Sequence, residues 1–247
     1  MKQTYRQIRT NKNEHHFKNK LSIIIPVFNE ANTINEIIKR VQDVDIKDIT
    51  KEIIIIDDFS TDGTREILND YNNTSNIKVL FHNYNKGKGY AIRTGLSEAT
   101  GSIIIIQDAD LEYDPNDYPE LLQPIIEEKA EIVYGSRILG KNNSKSYLRY
   151  YLGGRFLTLL INFLYNADLT DVPTCYKVFK SNIIKEIKLD CKRFEFCIEI
   201  TAKLLKRGYR IYEVPISYYP RSIEEGKKIR WKDGLTAIYY IFFYRFL

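Results

Sequence analysis

Cysteine is scarce in this chain: Cys175, Cys191 and Cys197 are the whole complement, and no two stand in a Cys-x-x-Cys spacing. An odd, unpatterned set argues against a disulfide framework and against a zinc site, and points to a reducing compartment. Long hydrophobic runs are also missing. No stretch reaches the roughly 18 consecutive apolar residues that a membrane span requires. Lys and Arg are scattered rather than massed, so the formal charge of +5 suits anionic small molecules or an anionic membrane surface rather than nucleic acid. There is no internal repeat and no Gly-, Ser- or Pro-rich linker. Neither the G-x-G-x-x-G nor the P-loop pattern occurs around Lys86-Gly87-Lys88-Gly89, which reads as a turn able to offer donor contacts.

Residues 1-20 are polar and basic and are expected to form a flexible arm rather than a signal peptide. His15 and His16 lie in it with no other ligand type clustered nearby. From Leu21 onward, short β-branched runs alternate with helical periodicity, the form of a doubly wound α/β sheet. The strands are expected at 21-27, 52-57, 77-81, 102-108 and 131-135, and their Ile and Val content implies burial on both faces. Ile34, Ile37, Ile38 and Val41 recur at helical spacing behind a Thr33-Glu36 capping box. Further helices are expected over about 63-72, 88-99, 116-129, 148-165 and 195-207. The segment GKNNSKS (140-146) reads as an exposed loop.

In an open parallel sheet, ligands bind beyond the carboxyl ends of the strands. Polar residues stand there in number: Asn29 and Glu30, then Asp57 and Asp58, then Asp108, Asp110 and Glu112. Acids converging from three strand ends would repel an anion unless a cation lay among them. Asp108 and Asp110, two apart in an extended segment, share a face and can hold Mg²⁺ or Mn²⁺ while leaving positions for diphosphate oxygens. Asp57 and Asp58 fit a helix-capping turn, and equally an acceptor for a nucleobase N-H or a ribose hydroxyl.

The ordered series PVFNE (26-30), IIDDFSTDGT (55-64), NKGKGYAIRTG (85-95), QDADLEYDP (107-115), YGSR (134-137) and PTCYKVF (173-179) resembles the family 2 glycosyltransferases. The nearest branch holds the dolichyl-phosphate mannose and glucose synthases and their bacterial polyprenyl-phosphate relatives. The resemblance runs from about Leu21 to Asp233 and implies a GT-A fold, dependence on Mg²⁺ or Mn²⁺, and an inverting hexosyltransferase. It implies that Pro26, Phe28, Glu30, Ile56 and Asp58 surround the nucleoside of a GDP- or UDP-sugar. It implies further that Asp108, Ala109, Asp110 and Glu112 surround metal and diphosphate, with Asp108, Asp110 and Glu112 as metal ligands. Arg137, Arg149, Arg221 and Lys228 are then expected near the phosphates, as catalytic groups together with Asp110. Phe28 stands where tyrosine is usual, and Glu112 where the mannose synthases carry glutamine, which leaves base and sugar open.

The expected organisation is a basic arm (1-20), a single α/β domain of GT-A type with a Rossmann-like, mostly parallel sheet (21-230), and an apolar, aromatic helix (231-247). GLTAIYYIFFYRFL (234-247) is too short to span a bilayer and fits an interfacial helix, which with 148-165 suggests peripheral membrane association at a cytoplasmic face. The expected acceptor is a polyprenyl or dolichyl phosphate. A glycan or protein hydroxyl is the alternative, and it would need Asp171, Glu195 or Glu199 as general base. A nucleotide-sugar-binding protein without turnover is the remaining reading.

Overall fold

The computed structural model describes residues 19-140, 148-221 and 231-247. The N-terminal arm with His15 and His16, the GKNNSKS loop beyond Gly140, and Lys228 lie outside the described residues. Among those described, one mixed sheet runs in the order β3-β2-β1-β4-β6-β5-β7. Its strands are β1 (Lys20–Val27), β2 (Thr50–Asp57), β3 (Ile77–Phe81), β4 (Ile103–Ile106), β5 (Ile132–Ser136), β6 (Lys177–Lys180) and β7 (Tyr212–Pro215). Pairing is parallel except at β6, which runs antiparallel to both β4 and β5.

The first five strands follow the Ile-rich runs. β4 is buried along its whole length and β1 from Leu21 to Val27, as expected of strands covered by helices on both faces. The fourth run ends sooner than expected. Gln107 still donates its amide to Ile24 O (2.9 Å), and the chain then bends away, so Asp108 follows the strand rather than closing it.

Helices α1 (Ile34–Asp43), α2 (Thr64–Asn69), α3 (Lys88–Glu98) and α4 (Tyr118–Ile126) are the crossover layer, and α4 is preceded by a 3-10 turn over Pro115–Asp117. α1 buries the expected Ile34, Ile37, Ile38 and Val41. The capping box does not form. Thr33 already has near-helical φ and ψ (−117°, −23°), and its hydroxyl turns back to Glu30 Oε2 (3.0 Å) instead of capping α1.

α5 (Leu148–Tyr165), α6 (Ser181–Glu186), α7 (Phe196–Lys206) and α8 (Trp231–Phe246) make up the remainder. α8 packs on α7 and α5 around Ile161, Val172, Ile198, Ala237 and Ile241, a cluster separate from the sheet core. The buried Glu199 of α7 pins this arrangement: it accepts the amides of Asp190 (2.7 Å) and Cys191 (2.9 Å), the Lys203 ammonium (2.6 Å) and the Tyr244 hydroxyl (3.0 Å).

Candidate active site

A cavity of about 1830 Å³ opens at the carboxyl ends of β1, β2 and β4 and continues between α5 and α8. It sits where an open α/β sheet offers its ligand crevice. Pro26, Phe28, Glu30, Asp58, Asp108, Ala109, Asp110, Glu112, Arg137 and Arg221 all line it. Ile56 does not. It is fully buried in β2 and faces α3, where a Cβ on Gly95 would come within 2.9 Å of its Cδ1. Arg149 lies on α5, with its side chain outside the described residues.

The β4 end is held rigidly from below. Gln107 is completely buried; its Oε1 accepts from the hydroxyls of Tyr118 (2.7 Å) and Tyr176 (2.8 Å), and its Nε2 donates to Asp108 O (2.9 Å). Beyond it the chain is bent rather than extended, and Leu111 takes φ +60°. Glu112 follows this turn and lines the same cavity as Asp108 and Asp110. Its Oε2 accepts from Tyr218 Oη (3.0 Å) and its Oε1 from the Arg221 amide (2.8 Å). Among the described residues no three His, Cys, Asp or Glu side chains are gathered as a metal site.

Two cations reach into the acids. Lys88, at the start of α3, forms an ion pair with Asp108. Arg221 bridges Glu30 (3.0 and 3.3 Å) and Asp110 (2.9 Å). Burial drives the Asp108 carboxyl up, but the Lys88 charge and hydrogen bond outweigh it and hold the group below its ordinary value. Asp110 behaves oppositely: burial, then the charges of Asp108 and Glu112, push it up to about 7 despite Arg221.

Lys88 is the site residue that the sequence reading did not single out. Its only signal was a lysine between two glycines, and both glycines are needed. Gly87 has φ +92°, and a Cβ on it would lie 2.4 Å from Lys192 O; one on Gly89 would lie 2.7 Å from Cys191 O. The bare backbone lets the 191-193 segment press against the turn and bring Arg193 and Phe194 to the cavity wall.

The two acids after β2 divide their work. Asp57 caps the following turn through the Ser60 amide (3.2 Å) and pairs with Arg65 (3.2 Å). Asp58 receives the amides of Lys86 (2.8 Å) and Gly87 (2.6 Å) and the Nδ1 of His82 (2.7 Å), so it fixes the glycine turn while facing the cavity.

Arg137 sits on the far wall in a bidentate pair with Asp171 (2.7 Å for each contact), which also accepts the Arg137 amide (3.0 Å). The Arg137 guanidinium lies 5.0 Å from the Tyr218 ring centroid. Burial pushes Asp171 up, and the charge and hydrogen bonds of Arg137 overcome this to hold it below the ordinary carboxylate value. Of the candidate bases, Asp171 is thus committed to Arg137 and Glu199 to its four donors. Glu195 accepts the amides of Lys192 (3.3 Å) and Arg193 (3.1 Å) ahead of α7.

Comparison with known proteins agrees with this architecture. The profile of glycosyl transferase family 2 matches residues 22-188. A dolichol-phosphate mannosyltransferase of Pyrococcus furiosus is 28% identical over 212 residues, which is 84% of this chain and 59% of that protein. The chain thus spans about three fifths of that enzyme's length. An uncharacterised protein of Methanocaldococcus jannaschii is 30% identical, with 86% of this chain and 87% of that one covered. Glucosyl-3-phosphoglycerate synthase of Mycobacterium tuberculosis, crystallised with Mn²⁺, UDP and phosphoglyceric acid, superposes with a TM-score of 0.70 at 17% identity, covering 93% of this chain and 79% of that one. That likeness establishes a shared GT-A, Rossmann-like fold.

Proposed function

Since the chain belongs to glycosyl transferase family 2, we propose that it transfers a hexose, with inversion, from a GDP- or UDP-sugar to a polyprenyl or dolichyl phosphate at a membrane surface. The observation that carries this reading is one continuous cavity: it joins the buried acids to Arg137 and then to an apolar trough between Phe156 and Leu157 of α5 and Leu235 and Ile238 of α8.

The donor end is suited to a divalent cation by its chemistry. Four carboxylates, Glu30, Asp108, Asp110 and Glu112, and two cations, Lys88 and Arg221, meet there among the described residues, and burial together with the charges of Asp108 and Glu112 raises Asp110 to about 7. Asp108 and Asp110 would hold the ion, with Glu112 adding charge beside it. Mg²⁺ or Mn²⁺ bound there stabilises the negative charge that gathers on the departing nucleoside diphosphate. Pro26, Phe28, Glu30 and Asp58 flank the nucleoside. Lys88 and Arg221, paired with carboxylates in the free protein, are placed to turn to phosphate oxygens once the donor and its cation take over those carboxylates.

At the other wall Asp171 holds the Arg137 guanidinium by two parallel bonds and so presents a fixed fork for the acceptor phosphate. A phosphate monoester is largely dianionic at neutral pH, its second pKa being about 6. Its oxygen attacks the anomeric carbon as the bond to the diphosphate breaks, and no proton has to be removed. A hydroxyl acceptor requires a base, whereas Asp171 and Glu199 have their oxygens committed elsewhere.

Membrane contact is supported by the outward faces of α5 and α8. Phe156, Leu159, Phe163, Tyr239, Phe242 and Phe246 are exposed there, Phe163 to 83%. Among the described residues no helix is long and apolar enough to cross a membrane; an exposed apolar helix face of this kind suits an interfacial mode. Incubation of the protein with labelled GDP- and UDP-hexoses, Mg²⁺ or Mn²⁺ and polyprenyl phosphate is expected to give a labelled lipid. Transfer to saccharide or protein hydroxyls alone would overturn the acceptor.

A further inference from the structure

We infer that the backbone of residues 169-172 is a cradle that fixes Arg137 for the acceptor phosphate, and that Glu213, Thr158 and Asn162, which stand outside the cavity lining, are positioning residues for that step. The inference rests on the proposed acceptor site and goes further in naming what sets its geometry.

Residues 169-172 belong to no helix or strand, yet Leu169, Asp171 and Val172 are buried. Backbone polar groups in such a stretch have to be answered by something. Here side chains answer almost all of them. Asn162 serves both groups of Leu169: its Oδ1 accepts from the amide (3.0 Å) and its Nδ2 donates to the carbonyl (2.8 Å). Glu213 accepts the amides of Thr170 (2.7 Å) and Asp171 (3.0 Å), one on each oxygen. Arg155 Nη1 donates to Thr170 O (3.1 Å), and Thr158 Oγ1 accepts from the Val172 amide (3.1 Å). Lys177 Nζ donates to Val172 O (2.9 Å). Asp171 O is met by main chain, through the Thr174 amide (3.5 Å).

The bracing comes from two directions. Arg155, Thr158 and Asn162 follow one another at three and four residues, so they share one face of α5. Glu213 and Lys177 reach the segment from β7 and β6 of the sheet. Charged groups are spent on it: Lys177 is fully buried with its Nζ 3.8 Å from the Tyr134 ring centroid, and burial pushes its ammonium down and the Glu213 carboxyl up.

What this delivers is Asp171. Its two oxygens hold Nε and Nη2 of Arg137 (2.7 Å each), and Oδ2 also accepts the Arg137 amide (3.0 Å). Ser136 Oγ, 2.5 Å from Thr170 Oγ1, ties the segment to the residue before Arg137. A bidentate pair transmits direction as well as distance. A shift in the 169-172 backbone therefore turns the Arg137 fork, and a misplacement of about 1 Å can cost on the order of a hundredfold in a positioned reaction.

The test uses the whole chain with labelled UDP- and GDP-hexoses, Mg²⁺ and polyprenyl phosphate. Thr158→Val keeps the side-chain size and removes the acceptor of the Val172 amide; Glu213→Gln leaves one of its two amides without an acceptor. Each is expected to raise KM for polyprenyl phosphate about tenfold, as one unsatisfied buried donor would, while the Kd values for UDP and GDP stay within about twofold. Thr158→Ser, which keeps the hydroxyl, should restore the parent KM. In an Arg137→Lys background, where the fork is gone, the same two changes should add nothing. An equal rise in KM in both backgrounds, or no rise in either, would overturn the inference. A second readout needs no turnover. In ¹⁵N-arginine-labelled protein the Arg137 Nε-H signal, identified by its loss in Arg137→Lys, should move and exchange faster in Thr158→Val and Glu213→Gln. A signal that stays in place overturns the inference. A signal that moves while the parent makes no labelled lipid overturns the acceptor reading and leaves the positioning of Arg137 standing.

Discussion

Asp110 illustrates how a single acid can work against the fold that contains it. Burial and the neighbouring Asp108 and Glu112 hold its pKa at about 7, so the folded protein keeps it charged only at a free-energy cost. Asp110→Asn is therefore expected to abolish metal-dependent donor binding and lower kcat/KM at least about a hundredfold, while the melting temperature stays level or rises. Calorimetry beside thermal melts checks both, and a large drop in melting temperature would contradict the first account of the residue. Glu52 shows the reverse case. Burial raises its carboxyl, but hydrogen bonds from Lys20, Ser22 and Thr100 prevail and hold it at about 2. A depressed acid stabilises the fold above its unfolded pKa of 4.5, and the contribution fades as pH falls toward 2. Melts of Glu52→Gln should show a lower midpoint at pH 7 and a shallower loss between pH 4.5 and 2 than the parent. Asp108, Asp110 and the nucleoside-side acids were legible because acids after buried strands have few structural reasons to gather. Lys88 was not, since a lysine in a glycine turn acquires meaning only when α3 points it at Asp108. Asp171 read as a candidate base in the sequence because its partner, Arg137, lies 34 residues away, and Glu199 because the turn that aims the amides of Asp190 and Cys191 at it, and the Tyr244 hydroxyl 45 residues on, leave no local pattern.

Five strands were legible from Ile-rich runs flanked by turn residues, and the helices between them from their periodicity. β6 and β7 were not. Each has four residues, β6 carries lysine at both ends, and neither contains the β-branched run that marks a buried strand. Their places in the sheet depend on pairing across long stretches of chain, which no local pattern encodes. The capping box failed for a related reason, because Thr33 found a nearer partner in Glu30. Close helix-to-sheet packing gives a direct test at this scale. Gly95 of α3 lies on β1 and β2 so closely that a Cβ would stand 2.5 Å from Ile24 Cγ2 and 2.9 Å from Ile56 Cδ1. Gly95→Ala should destabilise the protein by about 1–3 kcal/mol through overpacking, although alanine is the better helix former. Urea unfolding measures the balance, and a stabilised variant would contradict the packing argument.

Taken as a whole, the molecule has a charged crevice at one end of the sheet and an apolar flank on α5 and α8 beside it. Replacing Leu159 and Phe163 of α5 with serine removes exposed apolar area remote from the acids. Binding to anionic vesicles is expected to fall about tenfold or more, since each such side chain contributes roughly 1.5–3 kcal/mol when buried, and UDP or GDP affinity should not change. Cosedimentation with vesicles and nucleotide titration read the two effects separately. The reversed strand β6 has its own consequence, and it concerns how the chain is made. β4 consists of four isoleucines, and one of its edges stays open until the polypeptide has passed through α4, β5 and α5 and delivered Lys177–Lys180 to it. During synthesis that sticky edge is a template for any passing strand. The nascent protein is therefore most prone to misassembly in the interval before β6 arrives, and Ile103–Ile106 is the stretch a chaperone has most reason to shield.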